Sequence, residues 1–268
     1  MGVPTLGCRC ATCTSADPRD HRMRPSIAIS WGPLDAHGEP LHRAIIDTGP
    51  EFRMQALRAG IHHVDAVFYT HAHADHTLGL DDLRPLSYLY RAMHRLPLPL
   101  YADAPTADVL ERIFEYTFSP HSTYPNRAQV ALHRIAGEQA IEVAGLLIHR
   151  VPILHGRLGI AGYRFGNAAY LTDMSEIPPA SLALLEGLDV LILDALRLDP
   201  HPSHANVSQA LAWVDRLQPR RAFFTHMSHE LGHQQTERTL PAHVRLAYDG
   251  LELPFCFTPA TAAESGAL

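Results

Sequence analysis

Four potential metal ligands fall within the six residues HAHADH. They are His71, His73, Asp75 and His76. Imidazole nitrogens and carboxylate oxygens bind zinc, manganese and iron, but at this spacing they surround a cation only if the chain leaves a strand and turns. The apolar run VDAVFYT (64–70) predicts such a strand directly before the group. The alternative is a polar loop that holds three histidines by chance, and four ligand-type residues in six positions disfavour it.

A second group of reactive side chains lies near the N-terminus, in GCRCATC (7–13). It contains Cys8, Cys10 and Cys13, and the only other cysteine is Cys256. Three thiols cannot pair among themselves, and four cysteines with this spacing do not make a disulfide framework. The residues alone leave three interpretations open: an accident of composition, a redox site, or part of a metal site.

The elements that must position these side chains alternate between short apolar runs and helix-like stretches. Strands are predicted at 43–47, 64–70, 146–154, 168–173, 189–196 and 221–226. Helices are predicted at 104–117, 178–186, 206–217 and 233–239. The third helix opens with Asn206 and has Gln209 three residues later, which predicts a capping box. This mixture indicates an α/β protein with sheets in the middle and helices outside, and it leaves the topology open.

Composition narrows the class of protein. The 268 residues carry a formal net charge of −6, which argues against a protein that holds nucleic acid by its phosphates. No apolar run approaches the roughly 20 residues of a membrane helix, so no membrane association is expected. The N-terminus lacks the features of a secretory signal, and the expected location is the cytoplasm. Histidine is unusually frequent, with 19 residues.

The segment THAHADHTLGL resembles the His-x-His-x-Asp-His signature of the metallo-β-lactamase superfamily. The resemblance implies an αββα sandwich, with two mixed β-sheets and helices on the outer faces, as a single domain over 1–268. It implies that His71 and His73 bind one metal ion, and that Asp75 and His76 bind a second. Three later strand ends supply further ligands of the family pattern: His155 for the first metal, Asp173 as a bridge, and His226 for the second metal.

Asp47, in IIDTG, also matches a superfamily position upstream of the signature. We interpret it as a group that orients a ligand or the metal-bound solvent. A turn aspartate that caps the loop before a helix at 51–58 is an equally good interpretation.

The segment GVPTLGCRCATC resembles one branch of the superfamily, the phosphodiesterases that open 5-phosphoribosyl 1,2-cyclic phosphate. In that branch a histidine close after the last catalytic ligand completes a structural zinc site. Here the resemblance implies one structural zinc held by Cys8, Cys10, Cys13 and His229. Cys256 is then expected to be a small buried residue. Residues 248–253 resemble the family's last strand, whereas the family's first strand is apparently missing or lies upstream of Met1.

The expected reaction follows from this resemblance. Two divalent ions, zinc or manganese, about 3.5–4 Å apart can share a solvent molecule and present hydroxide as nucleophile. The expected substrate is a small phosphorylated molecule, a ribosyl 1,2-cyclic phosphate or 2′,3′-cyclic nucleotide. His204 is the candidate proton donor, and Asp75 joins it in the catalytic set.

Other functions remain open. They are hydrolysis of another ester class (lactone or thioester), a non-catalytic relative resembling the pyrroloquinoline quinone biosynthesis proteins of the B type, and a zinc-stabilised binding protein. A tRNA-processing nuclease shares the signature, but the acidic balance disfavours a nucleic acid polymer as partner. Relatives commonly form dimers, so a homodimer is a further expectation.

Overall fold

The structure is a computed structural model, and it describes residues 2–259. Contacts within the chain divide it into two compact units. Within the described residues, unit 1 combines residues 2–23 with residues 137–259, and unit 2 is the continuous segment 24–136. The expectation of one domain over 1–268 stays a prediction, and Met1 and residues 260–268 lie outside the described residues.

Unit 2 contains a five-stranded mixed sheet with strand order β1-β2-β3-β4-β5. The strands are β1 (Ile27–Leu34), β2 (Pro40–Ile46), β3 (Ala66–Phe68), β4 (Leu98–Ala102) and β5 (Val130–Arg134). The first pair is antiparallel and the other pairs are parallel. The helices are α1 (Phe52–Arg58), α2 (Ala74–Thr77), α3 (Arg84–His94), α4 (Ala104–Ile113) and α5 (Glu115–Phe118). Apolar side chains of the sheet and helices, among them Val67, Leu80 and Leu100, form a core of this unit.

Unit 1 contains a seven-stranded mixed sheet with strand order β12-β11-β10-β9-β8-β7-β6. The strands are β6 (Ala140–Val143), β7 (Leu146–His155), β8 (Leu158–Phe165), β9 (Ala168–Leu171), β10 (Val190–Asp194), β11 (Arg221–Thr225) and β12 (Val244–Leu246). Strands β6 to β9 pair antiparallel, whereas β9 to β12 pair parallel. The helices are α6 (Val207–Leu217) and α7 (His233–Glu237). The nearly continuous apolar character of β9 and β10 is typical of parallel strands covered on both faces.

Helix α6 shows how the sequence determines one of these elements. Asn206 caps its start: its side-chain oxygen accepts a hydrogen bond from the Gln209 backbone N–H. The Gln209 side-chain oxygen in turn accepts from the Asn206 backbone N–H. This is the predicted capping box. Val207, Ala210 and Val214 are buried at helical spacing and pack into the core of unit 1.

Two mixed sheets with helices confirm the predicted α/β class, and all six predicted strands are present. The predicted helix 178–186 is wrong: the segment forms two 3₁₀ turns, with i to i+3 bonds such as Ser181 N–H to Pro178 O. The predicted strand 248–253 is also wrong. The last ladder bond of the sheet is Ala247 N–H to Phe224 O, and a turn with Gly250 at φ +86° follows.

Two further observations concern exposure. Cys256 is exposed, so the expectation of a buried thiol is wrong; its backbone instead pairs with Asn167 at the edge of the unit. Within residues 2–259, no helix combines the length and the apolar character that a membrane crossing requires.

A close backbone approach in unit 2 holds the segment after β2 against α2. The Thr48 N–H donates to His76 O at 2.8 Å, and the Gly79 N–H donates to Thr48 O at 2.8 Å. A Cβ atom at Gly79 would overlap the carbonyl oxygen of Gly49 and lie 2.9 Å from the Cβ of Phe52. Only glycine therefore permits this contact without displacement of the backbone.

We predict that Gly79→Ala lowers the free energy of unfolding by about 1–3 kcal/mol, because the added methyl group overpacks a backbone contact. Urea unfolding of the purified variant measures this change. Gly159→Ala is the matched control, since a Cβ there meets no atom within 4 Å. Equal stability of the two variants would contradict the assignment of Gly79 as a close-approach position.

Candidate metal centre

The HAHADH segment of unit 2 begins three residues after the end of β3 and turns into the short helix α2. The turn brings donor atoms close together: His71 Nε2 and His73 Nδ1 are 2.9 Å apart. His76 Nε2 lies 4.0 Å from Asp75 Oδ2. His76 is fully buried and His71 nearly so. The segment thus leaves its strand and converges, as a shared cation requires.

Asp47 holds the buried end of this segment. Its Oδ1 accepts from the Thr70 N–H at 2.8 Å, and its Oδ2 accepts from the Thr70 hydroxyl and lies 2.8 Å from His76 Nδ1. Burial raises the pKa of Asp47, and the His76 ring and the Thr70 bonds oppose that shift. The carboxylate fixes His76 with Nδ1 toward Asp47, so that Nε2 is the nitrogen suited to bind metal.

The alternative role of Asp47, a turn aspartate that caps the loop before α1, does not match the contacts of its side chain. Helix α1 has Glu51 at its N-cap position, and no side chain caps it. Asp47 instead contacts Thr70 and His76, both in the segment that follows β3.

The remaining predicted ligands lie at strand ends of unit 1. His155 is the last residue of β7, Asp173 lies two residues beyond β9, and His226 directly follows β11. His226 Nε2 is 3.3 Å from Asp173 Oδ2. The His155 Nδ1 lies 2.7 Å from Ser203 O and, as donor, would leave Nε2 for a metal. Burial and the neighbouring His204 ring lower the pKa of His155, which favours the neutral imidazole that binds cations.

His204 joins this group, with ligand atoms of His204, Asp173 and His226 all within 4.8 Å of one another. Its ring stacks on that of His226 at 4.8 Å between centroids, with 10° between the planes. Its Nδ1 lies 2.7 Å from Oδ2 of Asp194, a fully buried carboxylate at the end of β10.

Sequence reasoning missed Asp194. The residue stands at the carboxyl end of β10, and β10 pairs with both β9 and β11, which lead to Asp173 and His226. The carboxyl ends of neighbouring parallel strands meet at one edge of a sheet, and that position is the signal that could have identified it.

The three N-terminal cysteines and His229 form a separate cluster within unit 1. Their ligand atoms lie within 4.8 Å of one another, and Cys8 Sγ and Cys10 Sγ are each 3.3 Å from His229 Nδ1. The hydrogen bond with His229 lowers the pKa of Cys10 to about 6, whereas burial raises the pKa of Cys13. Three sulfurs and one imidazole match the donor set of a closed tetrahedral zinc site. We call this cluster the cysteine clasp.

The donor atoms also suit cations in the histidine groups. Imidazole nitrogens and carboxylate oxygens converge there, with His71 Nε2 and His73 Nδ1 2.9 Å apart and His226 Nε2 and Asp173 Oδ2 3.3 Å apart. Zinc and manganese both accept such donors. Within unit 2 the structure brings together His71, His73, Asp75 and His76, and within unit 1 it brings together Asp173, His204 and His226. The assignment of each residue to a particular ion stays a prediction.

Comparison with known proteins identifies the class of protein. Residues 42–227 match the model of the β-lactamase superfamily domain. The chain therefore belongs to this superfamily of metal-dependent hydrolases, as the HAHADH signature indicated.

Particular relatives refine this result. The solved structure of a diphosphatase from the PhnP family shares 47% sequence identity, covers 97% of this chain and 95% of that chain, and has a TM-score of 0.86. This likeness confirms the predicted fold and the resemblance to the phosphodiesterase branch.

Two curated proteins are also similar. An octanoyltransferase from Porphyromonas gingivalis is 37% identical over 253 residues, which are 94% of this chain and 49% of that protein. Ribonuclease Z from Myxococcus xanthus is 30% identical over 152 residues, 56% of this chain and 44% of that protein. The chain thus spans about half the length of the octanoyltransferase that it matches.

We predict that Asp47→Asn weakens manganese binding by about 10-fold or more, because the neutral amide no longer fixes His76 in the binding tautomer. Isothermal titration calorimetry of the metal-depleted protein with manganese measures the dissociation constant. Asp108→Asn, at an exposed carboxylate paired with Arg134, is the matched control. If both variants bind manganese as the unaltered protein does, Asp47 has no orienting role.

For the cysteine clasp, Cys10→Ser is expected to remove one zinc per chain while the metal content of the histidine groups is kept. Elemental analysis of the dialysed protein gives the result, with about three metal ions per chain expected before substitution. Cys256→Ser provides the control, because that cysteine is exposed and lies outside the clasp. A Cys10→Ser protein with undiminished zinc would refute the clasp as a metal site.

Proposed function

We propose that the histidine groups of the two units form one binuclear centre. One ion would be held by His71, His73 and His155, the other by Asp75, His76 and His226, with Asp173 between them. The matched superfamily domain, residues 42–227, includes all seven residues, which supports a shared centre. The diphosphatase that is 47% identical over 97% of this chain supports it further.

The proposed reaction is hydrolysis of a small cyclic phosphodiester, of the ribosyl 1,2-cyclic phosphate or 2′,3′-cyclic nucleotide type. The observation that carries it is the imidazole and carboxylate donor set, in a chain whose relatives are named as a diphosphatase and a ribonuclease. When bound, two divalent ions supply a deprotonated water at neutral pH and neutralise charge on phosphoryl oxygens. The net charge of −6 favours a small substrate over a nucleic acid polymer.

His204 supplies the proton that the departing alkoxide needs. Asp194 accepts the hydrogen bond from its Nδ1–H at 2.7 Å, and this fixes the ring and stabilises its protonated form. The proton then leaves from Nε2, on the opposite side of the ring. Because Asp194 is fully buried, its interaction with His204 is screened little by solvent.

The direct test is turnover of a panel of cyclic and linear phosphodiesters and diphosphates, with manganese and zinc supplied separately. We expect the cyclic diesters to be hydrolysed fastest, and His71→Ala to abolish turnover. His62→Ala, at an exposed histidine outside both groups, is the control. Faster hydrolysis of linear diphosphates would reassign the substrate class, and no hydrolysis of any of these compounds would refute the proposal.

Leaving-group dependence tests the role of His204. We expect His204→Ala to slow hydrolysis of an alkyl phosphodiester by about 10²-fold or more, because the alkoxide must be protonated as it departs. A p-nitrophenyl phosphodiester should be affected far less, since its phenolate leaves without a proton. Asp194→Asn should lower both rates, as His204→Ala does, but each by a smaller factor than His204→Ala. Equal losses with both leaving groups would exclude His204 as the general acid.

Hydrolysis of an acyl thioester is a second candidate. The similarity to half of an octanoyltransferase, over 94% of this chain, favours it. Ions held by the same residues would supply a nucleophile that suits a carbonyl carbon as well as phosphorus. Assay of the metal-loaded protein with an octanoyl thioester and with the cyclic diesters side by side distinguishes the two functions.

A further inference from the structure

Arg22 is a buried arginine that the proposed reaction does not use. Its side chain is only 6% exposed, and its Nη2 donates to two backbone carbonyls, Ser228 O at 3.1 Å and Leu231 O at 2.9 Å. Both carbonyls belong to the segment that connects β11 with α7. That segment starts with His226 and contains His229, so it carries ligands of both candidate metal sites.

The backbone around Arg22 is fixed on both sides. Arg22 and Val3 exchange two hydrogen bonds, each 2.8 Å long. Asp20 Oδ1 accepts from the His233 N–H at 2.7 Å, at the start of α7. The arginine is therefore held in place independently of the two carbonyls, and it can act as a fixed support for the segment it contacts.

The charge of Arg22 also points to the cysteine clasp. Its Nε and Nη1 are buried with no hydrogen-bond partner among the residues described, and Asp20 Oδ1 lies 3.8 Å from Nη1. A buried cation in this position requires negative charge nearby. Three thiolates and a neutral imidazole around Zn²⁺ leave one net negative charge, and Val3, which pairs with Arg22, lies at the start of the clasp loop. Burial lowers the pKa of Arg22, and the charges of Asp20, Asp249 and Cys13 oppose that shift. A loaded clasp, in which Cys13 is a thiolate, would therefore add to the negative charge that favours the buried guanidinium.

We propose that Arg22 is a positioning residue that couples the cysteine clasp to the catalytic ligand His226. It supports the 226–231 segment by two carbonyl contacts, and the loaded clasp holds the same segment through His229. Loss of the guanidinium would let the segment relax, and both metal sites would weaken together. The part that concerns His226 rests on the proposed function; the part that concerns the clasp does not.

The test compares Arg22→Met, which keeps most of the volume, with Arg22→Lys, which keeps the charge but lacks the planar donor group. Arg19→Met is the matched control, because Arg19 lies in the same segment with a partly exposed side chain paired to Asp17. Two properties are measured without any substrate. They are the rate of zinc loss from the clasp to a chromogenic chelator, and the affinity of the histidine groups for manganese.

We expect Arg22→Met to accelerate zinc loss and weaken manganese binding, each by about 10-fold, with partial recovery in Arg22→Lys and no change in Arg19→Met. A folded Arg22→Met protein with unchanged values of both would overturn the proposal. Faster zinc loss with unaltered manganese affinity would overturn the coupling to His226. If Arg22→Met does not fold, Arg22→Lys decides, and unaltered values in that variant refute the role. Because no turnover is measured, these results do not depend on the phosphodiesterase assignment, which the substrate panel tests separately.

Discussion

The candidate ligand groups of both units depend on the same backbone constraint: in each unit the chain must leave its strands abruptly so that polar side chains lie at the ends of the strands. Asp47, Asp173 and His226 each adopt left-handed backbone, with φ of 65°, 57° and 56°. Such a conformation costs about 1–3 kcal/mol for a residue with a side chain, and it persists only where the surroundings determine it. Here the surroundings are buried hydrogen bonds, such as those from Thr70 to Asp47 and from the Thr172 hydroxyl to Asp173.

The same hydrogen bonds determine which ring nitrogen each histidine offers. The Nδ1 of His76 is directed to Asp47, and that of His155 to a backbone carbonyl. Fixed tautomers reduce the rearrangement that binding a cation would need, and this preorganisation is typical of metal sites in proteins. In the cysteine clasp, by contrast, thiols from a loop without regular structure meet a distant histidine, so much of the binding energy of a zinc ion there would become folding energy.

The α/β class, six of the twelve strands in the described residues and the capped helix α6 could be predicted from local pattern, because apolar runs and capping residues act over short distances. The ligands in the HAHADH segment could also be predicted from the sequence, since four potential ligands fall within six residues. Asp194 and Arg22 were not, because their roles come from partners 10 and about 206 residues away, which no local pattern encodes. The strand expected at 248–253 rested on resemblance to the family's last strand, and it is absent because the turn at Gly250 follows the last pairing of the sheet.

The central claim is that ligands from both units share one pair of cations. Anomalous diffraction from crystals grown with manganese, recorded at the manganese and zinc edges, tests it most directly. The account predicts two manganese peaks that share Asp173, one beside His71 and the other beside His226, and a zinc peak among the three N-terminal cysteines. Manganese peaks whose ligands come from a single unit, or no peak other than the zinc, would contradict it.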